Sequence, residues 1–251
     1  MTLTLIAGPA NAGKVALLLD RYLARLADEP YLIVPNRSDV DRVRRDLLRR
    51  VGVLLGGSIG TFDDLFRELA HGGGEVRPVV TEAQRALVVR TAVRRCELNG
   101  LSASARTAGF ADSLLGATAE LEAGLVDPGD LDGALAALYG AYRAELDRLG
   151  RWDSELLRRA AVDRLERDLG AWSGQPVFAY GFEDLTGAEW ALLAALAGRT
   201  EVHVSLPYEP GRAAFASLAR TADDLSALAA GHVEELPARA PADTVPALAV
   251  V

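Results

Sequence analysis

The stretch GPANAGKV, residues 8–15, has the residue types of a loop that binds phosphate. In the pattern GxxxxGK[ST], backbone N–H groups and the start of the following helix surround a phosphate, and the lysine neutralises its charge. The residues assigned to this site are Gly8, Pro9, Ala10, Asn11, Ala12, Gly13, Lys14 and Val15. Val15 stands where Ser or Thr would coordinate magnesium, and methyl groups cannot bind a metal. The motif predicts weak binding of ATP or ADP with poorly held magnesium; the alternative is an ordinary glycine-rich turn.

Lys14 is the only lysine in the chain, so all other members of the 27 Lys and Arg residues are arginine. An ammonium is a compact point charge that fits between phosphate oxygens, whereas the planar guanidinium of arginine does not replace it there. A composition that uses arginine everywhere else but keeps lysine in this loop therefore favours a phosphate-binding loop over an ordinary turn.

Hydrolysis of a nucleotide would also need an acidic pair at the end of a later strand, to hold magnesium and to polarise the attacking water. The apolar stretch VFAYGFEDL ends in Tyr180 and Gly181, and its first carboxylates are Glu183 and Asp184. The other available stretch, EVHVSLPYEP, offers only Glu209 after the strand. We therefore expect no catalytic residues and no metal site, unless the acidic strand lies elsewhere.

Composition limits the classes of protein that the chain can belong to. One cysteine, Cys96, excludes an internal disulfide and a cysteine zinc site, and the three histidines lack ligand spacing. No basic leader and no apolar run of about 20 residues is present, which predicts a cytoplasmic protein without membrane contact. A net charge of −8 does not favour nucleic-acid binding by the whole chain, so such binding would be local or shared with a partner.

Hydrophobic periodicity predicts an α/β fold, a parallel sheet with helices on both faces and an inserted all-helical subdomain. The predicted strands cover 3–7, 31–35, 175–182 and 201–206, and the predicted helices between them cover 14–27, 38–52 and 187–198. Ser38 is expected to cap the second helix, and Thr81 to Gln84 to form a capping box. The predicted divisions are 1–78 and 174–236 for the two parts of the α/β domain, 79–173 for the helical insert, and 237–251 for a linker or truncated end.

The order of these segments resembles the first motor domain of UvrD-like superfamily-one helicases. GPANAGKV stands at motif I, YLIVPNRSDVDRVRRDLL at motif Ia, and VFAYGFEDLTGAEWALLAAL at motif II. The stretch YGFEDLTGAEWALL is most similar to the AddB/RexB subunits of bacterial helicase-nucleases. The resemblance implies a RecA-like P-loop fold. The chain departs from the helicase pattern at Val15, at Tyr180 and Gly181, and in VSLPYEPGRAAF, which lacks the glutamine of motif III.

The same resemblance implies a groove for single-stranded DNA. The corresponding residues here are Asn36, Arg37, Thr61 and Phe62, where phosphate contacts position a strand and an aromatic ring stacks on bases. Phe62 has the alternative of packing under the sheet. The arginine-rich run in 38–50 is typical of a solvated helix face.

Three functions follow as hypotheses. The first is a helicase-like subunit or fragment without ATPase activity, which binds single-stranded DNA weakly alone and works with a helicase-nuclease partner subunit in processing double-strand breaks for recombinational repair. The alternative is an autonomous P-loop nucleotide-binding enzyme or phosphotransferase. The third is a purely structural interaction module.

Overall fold

A computed structural model of the chain describes residues 2–72, 77–96, 98 and 100–238. The strands are β1 (Thr2–Gly8), β2 (Tyr31–Ile33), β3 (Ser58–Gly60), β4 (Val177–Tyr180), β5 (Glu201–Pro207) and β6 (Val233–Glu235). The α-helices are α1 (Lys14–Ala24), α2 (Arg37–Val51), α3 (Phe62–His71), α4 (Glu82–Arg95), α5 (Ala108–Ala123), α6 (Gly133–Arg148), α7 (Ser154–Arg167), α8 (Gly187–Ala197) and α9 (Ala219–Leu228).

The six strands form one sheet in the order β3-β2-β4-β5-β1-β6, and every neighbouring pair is parallel. The strands before and after the long helical stretch, β1 and β4, lie in this same sheet. The prediction of an α/β fold with a parallel sheet flanked by helices is therefore confirmed.

The connections that follow the neighbouring strands β1 and β5 run in opposite directions along the sheet. Helix α1 leads from β1 toward β2 and packs on β4 and β5, whereas α9 leads from β5 across β1 to β6 and packs on β1. Crossovers between parallel strands are nearly always right-handed, so connections in opposite directions cover opposite faces of the sheet. Helices α1 and α9 therefore lie on opposite faces.

The core between the sheet and helices α1 and α2 is built from alternate strand residues. Ile6, Leu32 and Phe178 are fully buried on this face. The ring of Phe178 meets Tyr22 of α1 edge to face at 5.8 Å and stacks on His203 of β5 at 4.9 Å. Because successive strand residues point to opposite faces, this alternation fixes which side chains α1 and α2 can bury.

The chain divides into two compact units, of which the first contains the sheet. Unit 1 comprises 1–62, 172–185 and 196–251, and unit 2 comprises 63–171 and 186–195. The divisions 1–78 with 174–236 for the α/β domain and 79–173 for the helical insert stay predictions. From residue 239 onward the predicted linker or truncated end lies outside the described residues.

Unit 2 is built around helices α4, α5 and α6, whose core includes Val89, Leu114 and Tyr142. The predicted capping box is confirmed, since Thr81 N–H donates to Gln84 Oε1 at 3.0 Å and Gln84 N–H donates to Thr81 Oγ1 at 3.3 Å. A buried polar group crosses this core: the Arg85 guanidinium donates to the Tyr142 hydroxyl at 3.2 Å, and that hydroxyl donates to Asp153.

The structure corrects one predicted helix start and adds two strands. Asn36, not Ser38, caps α2, because Asp39 N–H donates to Asn36 Oδ1 at 3.0 Å and the helix begins at Arg37. Strands β3 and β6 were not predicted; each has three residues, and they form the two edges of the sheet.

The described residues include no helix that is both long and apolar enough to cross a membrane.

Candidate functional site

The predicted site residues follow the carboxyl ends of the strands, which all lie on the same side of the parallel sheet; we call this side the carboxyl edge. The loop from Gly8 follows β1, Asn36 follows β2, Thr61 follows β3 and Gly181 follows β4. Open α/β sheets bind ligands outside the carboxyl ends of their strands, at the point where the direction of the connections reverses. One such reversal lies between β1, which leads toward β2, and its neighbour β5, which leads toward β6, so the glycine loop occupies a position suited to a ligand.

Two glycines give the loop its path. A Cβ on Gly8 would lie 2.6 Å from the Leu236 carbonyl oxygen and 3.3 Å from the Ala12 Cβ, so no side chain fits there. Gly13 has φ 93° and ψ 9°, the left-handed conformation that glycine adopts without steric cost, and it stands at the N-cap of α1. The loop can therefore pass close to Leu236 at Gly8 and turn directly into the helix at Gly13.

The start of α1 offers backbone donors to such a ligand. The intrahelical bonds begin with Leu17 N–H, which donates to the Gly13 carbonyl at 3.0 Å, so the N–H groups before it have no intrahelical acceptor. They border a depression of about 330 Å³ lined by Asn11, Gly13, Lys14, Val15 and Ala16. The partial positive charge of a helix N-terminus favours an anion at this place.

Lys14 is held within the loop that it belongs to. The residue is only 7% exposed, and its Nζ donates to the Pro9 carbonyl oxygen at 2.5 Å. Burial lowers the pKa of the Lys14 ammonium from its usual 10.5, because the charged form loses solvation. A phosphate oxygen at the start of α1 would restore favourable electrostatics to this ammonium, which has three donors and uses one on Pro9.

Val15 is 39% exposed, so the side chain after Lys14 presents methyl groups to the solvent beside the depression. A hydroxyl ligand for magnesium is therefore absent from this position. Among the described residues, no group of three or more His, Cys, Asp or Glu side chains is arranged to hold a metal ion.

The end of β4 carries a neutral phenol instead of a carboxylate. Tyr180 is 5% exposed, and the Arg42 guanidinium of α2 lies beside its hydroxyl. Burial raises the pKa of the Tyr180 hydroxyl above its usual 10.0 and the nearby arginine lowers it, with burial the larger effect. Arg42 is also paired with Asp39 at 2.7 Å. The phenol is thus protonated at neutral pH and cannot act as a base or as an anionic metal ligand.

Gly181 combines a left-handed backbone with a close contact that leaves no space for a Cβ. Its φ is 84°, and a Cβ there would lie 2.8 Å from Pro35 Cγ. Both the left-handed conformation and the close contact with Pro35 select glycine. The acidic pair missing from the sequence therefore cannot occupy this turn without a change of backbone path.

The two carboxylates that follow this turn are exposed, and their residues are bonded locally. Asp184 Oδ1 accepts the Leu185 N–H at 2.9 Å, and the backbone oxygen of Glu183 accepts the Thr221 hydroxyl at 3.4 Å. These contacts order the segment after β4. They do not bring either carboxylate to the glycine loop, which begins two strands away, about 10 Å along the sheet.

The residues predicted to bind DNA lie at the ends of the neighbouring strands β2 and β3. Asn36 uses both ends of its amide within the cap of α2: Oδ1 accepts the Ser38 hydroxyl at 2.5 Å, and Nδ2 donates to Asp39 Oδ2 at 3.0 Å. Arg37 is exposed and Thr61 is half-buried. Strand β2 lies three strands from β1, about 14 Å along the sheet, so these residues and the glycine loop form separate groups.

Phe62 is 4% exposed, and its ring packs against Phe182 with centroids 4.8 Å apart. A ring buried to this degree offers no free face on which a nucleic-acid base could stack. The buried ring fits the packing alternative, and its part in binding DNA stays a prediction, as do those of Asn36, Arg37 and Thr61.

Sequence reasoning missed three residues that shape this edge. Arg42 belongs to a run expected to be a solvated face, Pro35 follows a strand with no motif around it, and Leu236 comes more than 220 residues after the loop. Of the three, only Arg42 could have been found from the sequence, since it lies one helical turn after Asp39, the spacing at which two residues of a helix form an ion pair.

Comparison with known proteins gives a limited but consistent result. No protein-family model matches the chain. The chain is 29% identical, over 84% of its length, to a subunit of an ATP-dependent helicase/deoxyribonuclease from Heliobacterium modesticaldum. It is also 29% identical, over 84% of its length, to a protein of the same name from Pelotomaculum thermopropionicum. The chain spans only 19% and 20% of these two relatives. It is therefore similar to about one fifth of a helicase/deoxyribonuclease subunit.

Proposed function

We propose that the chain is a helicase-like, phosphate-binding part of a helicase-nuclease subunit and that it does not hydrolyse ATP. The observation that carries this proposal is the loop from Gly8 to Lys14. It joins β1 to α1, and the buried Lys14 is the first residue of that helix. The proposal includes a RecA-like P-loop fold of the UvrD-like helicase type. A reducing cytoplasm, inferred from the single cysteine, belongs to the same proposal.

Phosphate binding is supported by three features of the loop. Gly8 lets the loop leave β1 against Leu236, Gly13 directs the chain into α1, and the residues of the first helical turn line a depression that also includes Lys14. Together they supply neutral donors and one cation, the combination that binds a phosphate without a metal. We therefore propose ATP or ADP as weak ligands, with magnesium not well held.

Three residues, one in the loop and two at the end of β4, lack the groups that hydrolysis of ATP needs. Val15 offers no oxygen, and the end of β4 offers a neutral phenol and a glycine that has no space for a Cβ. Removing one group that stabilises developing charge commonly costs about 10²–10³ in rate. Because several such groups are missing together, we expect no measurable hydrolysis.

The proposed role in the cell is the handling of DNA ends beside an active partner, in the repair of double-strand breaks. The relatives are named as one subunit of an ATP-dependent helicase/deoxyribonuclease, a name that makes DNA and at least one further subunit plausible partners here. Single-stranded DNA would meet Arg37 and Thr61 at the carboxyl edge of β2 and β3. With a net charge of −8, the isolated chain should bind it with a Kd of roughly 10⁻⁴ to 10⁻⁶ M, weakening as salt is raised.

An ATPase assay with and without single-stranded DNA tests the proposal, with Lys14→Ala as the matched control. We expect the same background phosphate release from both proteins, whether or not DNA is present. Lysine-dependent release stimulated by DNA would mean that the chain is a working motor domain. Lysine-dependent transfer that ignores DNA would instead support an autonomous P-loop enzyme.

A further inference from the structure

Unit 2 has a groove along α4 that the proposed function does not use. We name it the α4 groove; it is about 430 Å³ in volume, and its walls include Val80, Gln84, Leu87, Val88, Leu149 and Arg151. All of these residues belong to unit 2. The α4 groove is distinct from the glycine loop, which lies in unit 1.

The floor of the α4 groove is one face of α4, on which Leu87 and Val88, named here the aliphatic stripe, lie between the polar residues Gln84 and Thr91. Gln84, Leu87, Val88 and Thr91 follow one another at i, i+3, i+4 and i+7, so they lie on one side of α4 over about 10 Å. Leu87 is 60% exposed, and Leu149, which also lines the groove, is 44% exposed. Two large aliphatic side chains thus face solvent in one concave site, where burial against a partner would be favourable.

The end of the α4 groove around Glu145 carries excess positive charge, contributed by Arg95 at the end of α4, by Arg148 and by Arg151, of which only Arg151 lines the groove. Glu145 is buried, and its carboxylate is shared by two arginines, Arg95 at 2.6 Å and Arg148 at 2.7 Å. Arg151 lines the same groove and forms no ion pair within the described part of the chain. Three arginines against one carboxylate leave a net positive charge beside the aliphatic stripe, in a chain whose total charge is −8.

We propose that the α4 groove binds an amphipathic helix of a partner protein, with aliphatic residues on one face and carboxylates beside them. A helix laid along α4 would bury Leu87 and Leu149 under its apolar face and bring a carboxylate to Arg151. The occupant is a protein segment and not DNA, because no aromatic side chain among the described residues lines the groove to stack on bases.

Two synthetic peptides of about three helical turns, held helical by a hydrocarbon staple, test the proposal. Both carry leucines along one stripe, and one has glutamates beside the stripe where the other has lysines. Fluorescence anisotropy with the full chain should show binding of the glutamate peptide at least about tenfold tighter than that of the lysine peptide. Equal affinity for the two peptides, or binding of neither, overturns the proposal.

Variants of the full chain locate the site. Leu87→Asp and Arg151→Glu should each weaken binding of the glutamate peptide about tenfold or more, and Arg151→Glu should strengthen binding of the lysine peptide. Leu135→Asp is the matched control, since Leu135 is an exposed leucine of α6 that does not line the groove. Equal losses in the control and groove variants overturn the assignment.

Two further measurements separate the other occupants. Arg151-dependent binding of a single-stranded oligonucleotide, with no binding of the glutamate peptide, would make the groove a nucleic-acid site and refute a protein occupant. Self-association of the chain that Leu87→Asp abolishes would make a second copy the occupant and would also refute the proposal. Sedimentation velocity of the wild-type chain should instead give a monomer.

Discussion

Replacement of Gly181 by alanine should destabilise the protein, because the new Cβ would collide with Pro35; Gly174, with a similar φ, has no such neighbour. The left-handed conformation, φ 84°, costs a non-glycine residue about 1–2 kcal/mol. The added Cβ would also lie 2.8 Å from Pro35 Cγ, and relieving such an overpacked contact costs a further 1–3 kcal/mol or so. We therefore expect Gly181→Ala to lower the free energy of unfolding by roughly 2–5 kcal/mol.

Gly174→Ala is the control for the conformational part of this cost. Gly174 has φ 85° with nothing within 4 Å of an added Cβ, so its variant should lose only about 1–2 kcal/mol. Thermal unfolding followed by circular dichroism should place the Tm of Gly181→Ala below that of Gly174→Ala by roughly 2–12 °C, from about 2–4 °C per kcal/mol at this chain length. Equal Tm values for the two variants would refute the argument that Pro35 excludes a side chain, and with it the argument against an acidic residue at this turn.

Three further predictions concern the same unit. Burial raises the pKa of the Tyr22 hydroxyl from 10.0 to about 12, so the stability that this phenol contributes is complete below pH 10 and is lost as the pH rises toward 12. Tyr22→Phe should therefore reduce, by about 2–3 kcal/mol, the loss of unfolding free energy that urea titrations show at alkaline pH. Identical pH profiles for the wild-type chain and the variant would contradict this. Asn36→Ala removes the cap of α2 and should lower the free energy of unfolding by about 1 kcal/mol, measured in the same way; an unchanged midpoint would mean that the cap is not formed in solution. Arg37→Ala should weaken binding of single-stranded DNA at every sequence and reduce the salt slope by about 1; unchanged binding by the folded variant would contradict the assignment of Arg37 to the DNA groove.

Much of the α/β layer could be predicted because its strands are buried and strongly apolar. Leu3 to Ala7 and Val177 to Tyr180 each form a short apolar run, and a parallel sheet covered by helices selects such runs. The edge strands β3 and β6 gave no such signal, because an edge strand is covered on fewer sides and Ser58 and Glu235 are exposed. Their place was set by pairing with β2 and β1, which local sequence does not encode.

The glycine-containing turn from β1 into α1 could be predicted from the spacing of its residues, whereas its surroundings could not; phosphate binding there stays a prediction. Gly8 and Gly13 have backbone roles that depend on a few neighbouring residues, so the spacing of the motif carries the information. The contact of Leu236 with Gly8 and of Pro35 with Gly181 depends on the order of strands in the sheet. The predicted start of α2 was wrong because Asn36 and Ser38 are both residue types that cap helices well. The place where β2 ends decides which of them caps the helix, and Asp39 N–H donates to Asn36.

Calorimetric titration of ADP into the chain, with magnesium and separately with a chelator, distinguishes a metal-free phosphate loop from a working nucleotide site. We predict weak binding that is equal in both conditions and is lost in Lys14→Ala, because the loop supplies N–H donors and one ammonium but no metal ligand. Binding that tightens strongly with magnesium would contradict this, since it would require an oxygen ligand for the metal, which Val15 and Gly181 do not offer and the neutral Tyr180 phenol does not offer as an anion. Binding that survives in Lys14→Ala would contradict the assignment of the loop itself.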